Sequence, residues 1–188
     1  MKKVVSALVI LISLASCQNQ QKIAYIDNGK VINGYQMKID IEDEFKKKDE
    51  LYQKKTDSIG KSYQMDAQQT QLKLSKLSEK EKQEGSQQFS QKWQMVQQQL
   101  QYEQQQMQQS FNQEMDSVVV KVKEFVNNYG KENGYTYILG KNEAGSVMFG
   151  KEENDISEEI TKALNDAYNT KSETIVEDKV KEEEVSEE

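Results

Sequence analysis

A single cysteine stands in this 188-residue chain, and its setting names the chemistry open to it. Cys17 closes the run Leu14-Ala15-Ser16-Cys17, a branched apolar residue and two small ones before a thiol. Ahead of it lie Met1-Lys2-Lys3, a positive start, and Val4 to Leu14, an apolar stretch too short to span a bilayer. The order matches a bacterial lipobox. Small residues suit a signal-peptidase cleft, and the freed cysteine becomes an acylated N-terminus. An ordinary signal peptide that happens to contain a cysteine is the plainer reading, but the depth of the motif favours lipidation. Each buried methylene contributes about 0.8 kcal/mol, so several acyl chains anchor stably. Gln18 follows the cysteine and no acidic run does, and the resemblance to other bacterial lipoproteins then implies attachment at the periplasmic face of the outer membrane.

Other chemistry is sparse. The chain has no His, which removes the commonest general base and metal ligand. With Cys17 committed, neither a thiol nucleophile nor a disulfide remains. Asp155 and Glu158 have the spacing of a helix cap, and Asp27 that of a turn former at a strand end. Neither a nucleophile with its base nor a phosphate loop stands out. The expectation is no enzyme, no metal and no cofactor. All 25 basic residues are Lys and the net charge is −7, which argues against nucleic acid as a partner.

Apolar residues make up 35 % of the chain, charged residues 30 %, and Pro is absent. That balance is poor for a compact globule and suits long exposed helices. The expected fold is therefore mainly α, a long antiparallel helical hairpin resembling a coiled-coil tentacle, on a small β body.

The hairpin is expected over 36–129. Its second half carries an apolar seam: Phe89, Trp93, Val96, Leu100, Met107, Phe111, Met115, Val118, Val122, Phe125 and Tyr129, with Glu103 in the one polar seat. The mean step is about 3.6 residues, the period of a helix that is not supercoiled. The first half is sparser, with Met37, Ile41, Phe45, Tyr52, Ile59, Tyr63, Ala67, Thr70, Leu74 and Leu77. Tyr and Thr within it predict a loosely packed, wet seam. Ser78 and Glu81 have capping-box spacing, which places the tip near 76–78, with Gly85-Ser86 as the alternative. An arm of about 40 residues spans roughly 60 Å and must project or associate. Gln supplies about two residues in five between Gln64 and Gln113, a solvated face of good helix propensity.

Around the hairpin, 1–16 read as a signal peptide and 17–22 as the lipidated terminus and tether. Residues 23–35 and 130–168 form the two parts of the body, and 169–188 an acidic, disordered tail. Ile23 to Ile26 predicts a strand, as does Tyr135 to Leu139. Ser146 to Phe149 predicts another, paired with the preceding one as a hairpin. Asp155 then caps a last helix. Tyr25, Ile26, Val31, Tyr137, Leu139, Val147 and Phe149 are the candidates for body core or subunit contacts. So small a body leaves strand edges bare, which association would cover.

Lys22 to Asp27, the Gln-rich hairpin, Glu132 to Leu139, Val147 to Gly150 and Asp155 to Asn165 follow one another in an order that resembles the Skp/OmpH family of periplasmic chaperones. The resemblance spans about Lys22 to Asn165. It implies a homotrimer in which strands of three subunits form a small central barrel and the hairpins surround a cavity. It implies ATP-independent binding of unfolded outer-membrane β-barrel proteins in that cavity. The lipobox and the acidic balance depart from the usual soluble, basic member.

On that reading Tyr63, Met65, Trp93, Met95, Tyr102, Met107, Phe111 and Met115 are the candidates for client contact, since Met and aromatic groups adapt to varied partners. For Trp93, Met107, Phe111 and Met115 the competing role is packing between the arms. Met65, Met95 and Tyr102 lie off the seam. The alternative function is a structural coiled-coil envelope lipoprotein or adaptor without clients, which would favour a more regular heptad seam.

Overall fold

The computed structural model describes residues 21–170. Cys17, its signal segment and nearly all of the acidic tail lie outside them. Strand β1 (Ile23–Asp27) leads into a short helix α1 (Asn28–Gly34), a long helix α2 (Gln36–Leu74) and a longer one, α3 (Glu79–Glu132). Strand β2 (Tyr137–Lys141), a 3₁₀ turn (Glu152–Asn154) and helix α4 (157–170) complete the described chain.

Each boundary has a local cause. Asp27 accepts a hydrogen bond from the Lys30 backbone N–H at 3.0 Å and so caps α1. Extended backbone at Tyr35 separates α1 from α2. The groups exposed at that break are satisfied by one amide: Asn165 accepts from the Gln36 N–H at 2.8 Å and donates to the Gly34 carbonyl at 3.0 Å. At the far end of the arm, the backbone N–H and hydroxyl of Ser78 both donate to Glu81 Oε2, at 3.0 and 2.6 Å. These bonds hold the Glu81 carboxyl below its ordinary range and start α3. Gly85 lies inside α3, not at the tip. A Cβ there would stand 2.5 Å from Leu74 Cδ2, so the missing side chain lets the arms close where the hairpin turns. Two residues past the end of α3 stands Gly134, whose φ of 68° is the left-handed conformation that favours glycine. The Tyr135 N–H then reaches back to the Gly130 carbonyl at 2.9 Å, a Schellman closure.

The arms are antiparallel, so α3 returns the chain to the end of the body where β1 begins. β2 therefore runs the same way as β1. The two pair in parallel, Ile23 opposite Tyr137 through Asp27 opposite Lys141, with the helical hairpin as the crossover. The expected pairing of β2 with 146–149 is not formed. Residues 146–148 are bends, and Met148 and Phe149 are 89 % and 86 % exposed. The Ser146 hydroxyl folds this segment back by donating to the Gly140 carbonyl at 2.5 Å. The free side of β1 is taken by a later segment: Tyr25 bridges Asp155, and the Ile156 N–H donates to the Tyr25 carbonyl at 3.0 Å.

The core lies under this sheet, where Ala24, Ile26, Val31, Tyr35, Ile41, Phe45, Val118, Val122, Ile156, Ile160 and Leu164 meet. Val31, Val118 and Ile160 are fully buried. Fully burying such a side chain stabilises by about 1.5–3 kcal/mol, so this cluster carries the body. Ser157 is buried among them. Its Oγ accepts from the Asp27 N–H at 2.8 Å and donates to Asp155 at 2.5 Å. Burial pushes the Asp155 carboxyl up, but the bonds from the Ser157 hydroxyl and N–H outweigh it and leave the pKa lowered. Glu158 is not the capping partner of Asp155. It pairs instead with Lys30 Nζ at 2.8 Å, tying α4 to α1. Tyr129 of α3 donates to Glu159, which pushes its phenol up to about 12.

Candidate functional site

The hairpin arms present a long surface outside the body core. From body to tip the arms touch at intervals. Phe45 and Phe111 meet edge to face at 5.2 Å between ring centres. The Tyr52 hydroxyl donates to the Leu100 carbonyl at 2.9 Å. Lys55 pairs with Glu103 at 2.6 Å and Lys92 with Asp66 at 2.5 Å. Hydrogen bonds from Lys55 and then Gln99 hold the Glu103 carboxyl below its ordinary value. Beside the Lys92–Asp66 pair, Tyr63 packs on Trp93 at 4.9 Å and on Phe89 at 5.5 Å. Between these contacts are shallow grooves. One of about 530 Å³ is lined by Tyr63, Ala67, Leu74 and Phe89. Charged and polar clasps thus alternate with aromatic ones, with open grooves between them.

The candidate residues divide accordingly. Met107, Phe111 and Met115 are half-buried and pack against the core cluster at the base of the arms. Trp93 is half-buried against Tyr63, and its indole N–H is buried without a hydrogen-bond partner. Tyr63 has one face on Trp93 and remains partly exposed. Met65, Met95 and Tyr102 point outward, at 63 %, 70 % and 57 % exposure. Leu51 and Leu72 of α2 are exposed as well. Sequence reading passed over both, although absence from the seam was the signal that singled out Met95.

Of the body candidates, Tyr25, Ile26 and Val31 are buried within this chain. Tyr137, Leu139 and Phe149 are exposed and Val147 is half-buried. The outer edge of β2 has no strand neighbour among the described residues. Among those residues no group of three or more His, Cys, Asp or Glu could hold a metal ion, and no helix is long and apolar enough to cross a membrane.

A family model described as outer membrane protein, OmpH-like, matches residues 22–164. The chain belongs to the OmpH-like family. Its fold is similar to that of a solved structure described as a putative outer membrane chaperone, OmpH-like, from Caulobacter crescentus CB15. That likeness has a TM-score of 0.68 at 10 % identity and covers 80 % of this chain and 88 % of the other. A search of the curated proteins finds no match. The OmpH-like match begins at Lys22 and ends at Leu164, so it takes in the sheet, both arms and most of α4.

Proposed function

We propose that this OmpH-like protein is a periplasmic holdase that works without ATP, binding unfolded outer-membrane β-barrel proteins in a cavity between the arms of a homotrimer. The observation that carries the reading is the outward display of Leu51, Met65, Met95 and Tyr102 on arms whose own seam is otherwise occupied. Unfolded barrel strands alternate apolar and polar residues and aggregate through their edges. Scattered adaptable groups on a mobile-client scale favour many weak contacts over one tight site. Membership in the OmpH-like family supports the same class of activity.

The trimer is supported by the outer edge of β2, which has no strand neighbour among the described residues, and by Tyr137, Leu139, Met148 and Phe149, apolar groups exposed among those residues. Acylation at Cys17 would hold the assembly at the periplasmic face of the outer membrane. The competing role is a spacer or adaptor that binds no client.

The test uses mature Cys17→Ser protein and a urea-unfolded outer-membrane barrel diluted into it without ATP. Light scattering is followed against chaperone concentration, and sedimentation gives the subunit number. Suppression saturating near one trimer per client supports the holdase. Unchanged scattering from a helical oligomer rejects it for that client and favours the adaptor.

A further inference from the structure

The fold brings the start of the described chain beside the C-terminal end of α3. The Lys22 ammonium donates to the Asn133 carbonyl at 3.1 Å and sits 3.8 Å from the centre of the Tyr135 ring. The Thr136 N–H donates to the Lys22 carbonyl at 2.8 Å. These partners lie just past the last residue of α3, a helix of 54 residues whose other end is the hairpin tip. At 1.5 Å per residue the tip is about 80 Å away. β1 starts at this pole and runs toward the arms, since Ile26 and Asn28 line a groove with Val122 and Val126, earlier residues of α3.

Resting on the reading of Cys17 as an acylated terminus, we infer that the blunt pole around Lys22, Asn133 and Gly134 faces the lipid surface and that the arms point away from it. Only Gln18 to Gln21 separate Cys17 from Lys22. Five residue steps span at most about 17 Å, so the acyl chains cannot sit far from this pole. The tip can then return to the bilayer only if the arms lie flat on it. Surface helices that do so carry a basic face beside a broad apolar one. Here the long arm is Gln-rich and nearly neutral from Glu79 to Gln113, with three Lys and four Glu.

Charge placement at the other terminus agrees. α4 starts beside the far end of β1, where Ser157 holds Asp27, and its last turns reach α2, where the Tyr168 hydroxyl donates to Asp40 at 3.1 Å. The acidic residues after Thr170 are therefore joined to the arm side of the body. Anionic headgroups repel them, and the field that does so fades within a Debye length of about 8 Å. The described chain thus begins at the pole and ends on its arm side.

The experiment uses the full lipidated chain in vesicles of phosphatidylethanolamine and phosphatidylglycerol with a headgroup-labelled energy acceptor. A donor dye is placed at Glu132→Cys, at the pole, or at Lys76→Cys, at the tip. Acylated Cys17 does not take the dye, so each variant has one reactive thiol. Mass spectrometry of the N-terminal peptide and flotation of the Cys17→Ser chain check the anchor separately. Strong transfer at position 132, several-fold above that at 76, supports the orientation. Equal or stronger transfer at 76, or weak transfer at both, in an acylated chain overturns the orientation while leaving the anchor standing. An unmodified Cys17 rejects the anchor, and the orientation falls with it.

Discussion

The Ser157 hydroxyl oxygen accepts the Asp27 backbone N–H at 2.8 Å, joining the end of β1 to the first turn of α4 across 130 residues of sequence. Ser157 is fully buried, so no water replaces it. Ser157→Ala leaves that N–H without its partner and removes a donor from the Asp155 carboxylate. The expected cost is about 1–3 kcal/mol, read as a lower urea midpoint at unchanged slope. If the variant matches wild type, this bond does not hold the body together.

Tyr52 makes a comparable bond in a wetter place. Its hydroxyl meets the Leu100 carbonyl midway along the arms, where both residues are only half-buried. Tyr52→Phe keeps the ring and removes the donor, and water can reach the freed carbonyl. The expected loss is about 0.5–1 kcal/mol, confined to the arms. Amide exchange should rise in α2 and α3 around Tyr52 and Leu100, while the core strand β1 keeps its protection. Faster exchange in β1 as well would show that arms and body unfold as one unit.

The hairpin was legible because its signals are local and mutually consistent. Helix formers run without Pro from Gln36, the α3 seam keeps its step from Phe89 to Tyr129, and Ser78 with Glu81 marks a start. The sheet was not. Tyr137 pairs with Ile23 across the whole hairpin, and no periodicity in either five-residue strand names the other. Ser146 to Phe149 has the apolar composition of a strand, yet the Ser146 hydroxyl, donating to the Gly140 carbonyl, folds it back and leaves the edge of β2 open among the described residues. The free side of β1 goes to Asp155 and Ile156 instead. Ser157 and Asn165 escaped notice for a related reason: a polar residue acquires a buried role only through its tertiary partners. On the arms, the regular α3 seam made Met95 and Tyr102 stand out as off-seam. The seven-residue steps from Phe45 to Tyr52 to Ile59 left the outward face of α2 undefined, and Leu51 and Leu72 went unread.

The Lys55–Glu103 clasp predicts an acid limb in arm stability. The Glu103 carboxyl lies below its ordinary value of 4.5 in the folded arm, chiefly through the hydrogen bond from Lys55. A carboxyl lowered by folding contributes stability that is present above its unfolded value and lost as pH falls through the folded one. Glu103→Gln should therefore melt below wild type at pH 7 and converge with it well below pH 4.5. High salt should narrow the difference at pH 7, because the pair is exposed. A gap that persists in strong acid would assign the effect to packing.

The outward groups of the arms give the sharpest test of the proposed holdase. Met95 and Tyr102 are among the exposed large hydrophobic residues and touch no core cluster, so replacing them leaves the seam intact. The double substitution Met95→Asp, Tyr102→Asp adds two charges where an apolar client strand would lie. Helicity and subunit number should hold, while the concentration needed to suppress client scattering should rise about tenfold, a change equivalent to 1.4 kcal/mol of binding free energy. Trp93→Ala should act differently, loosening the arms first, because the indole packs on Tyr63 and Phe89. If the double variant protects clients as well as wild type in a folded oligomer, the contacts lie elsewhere, and Leu51 and Leu72 on the other arm are the next pair to charge.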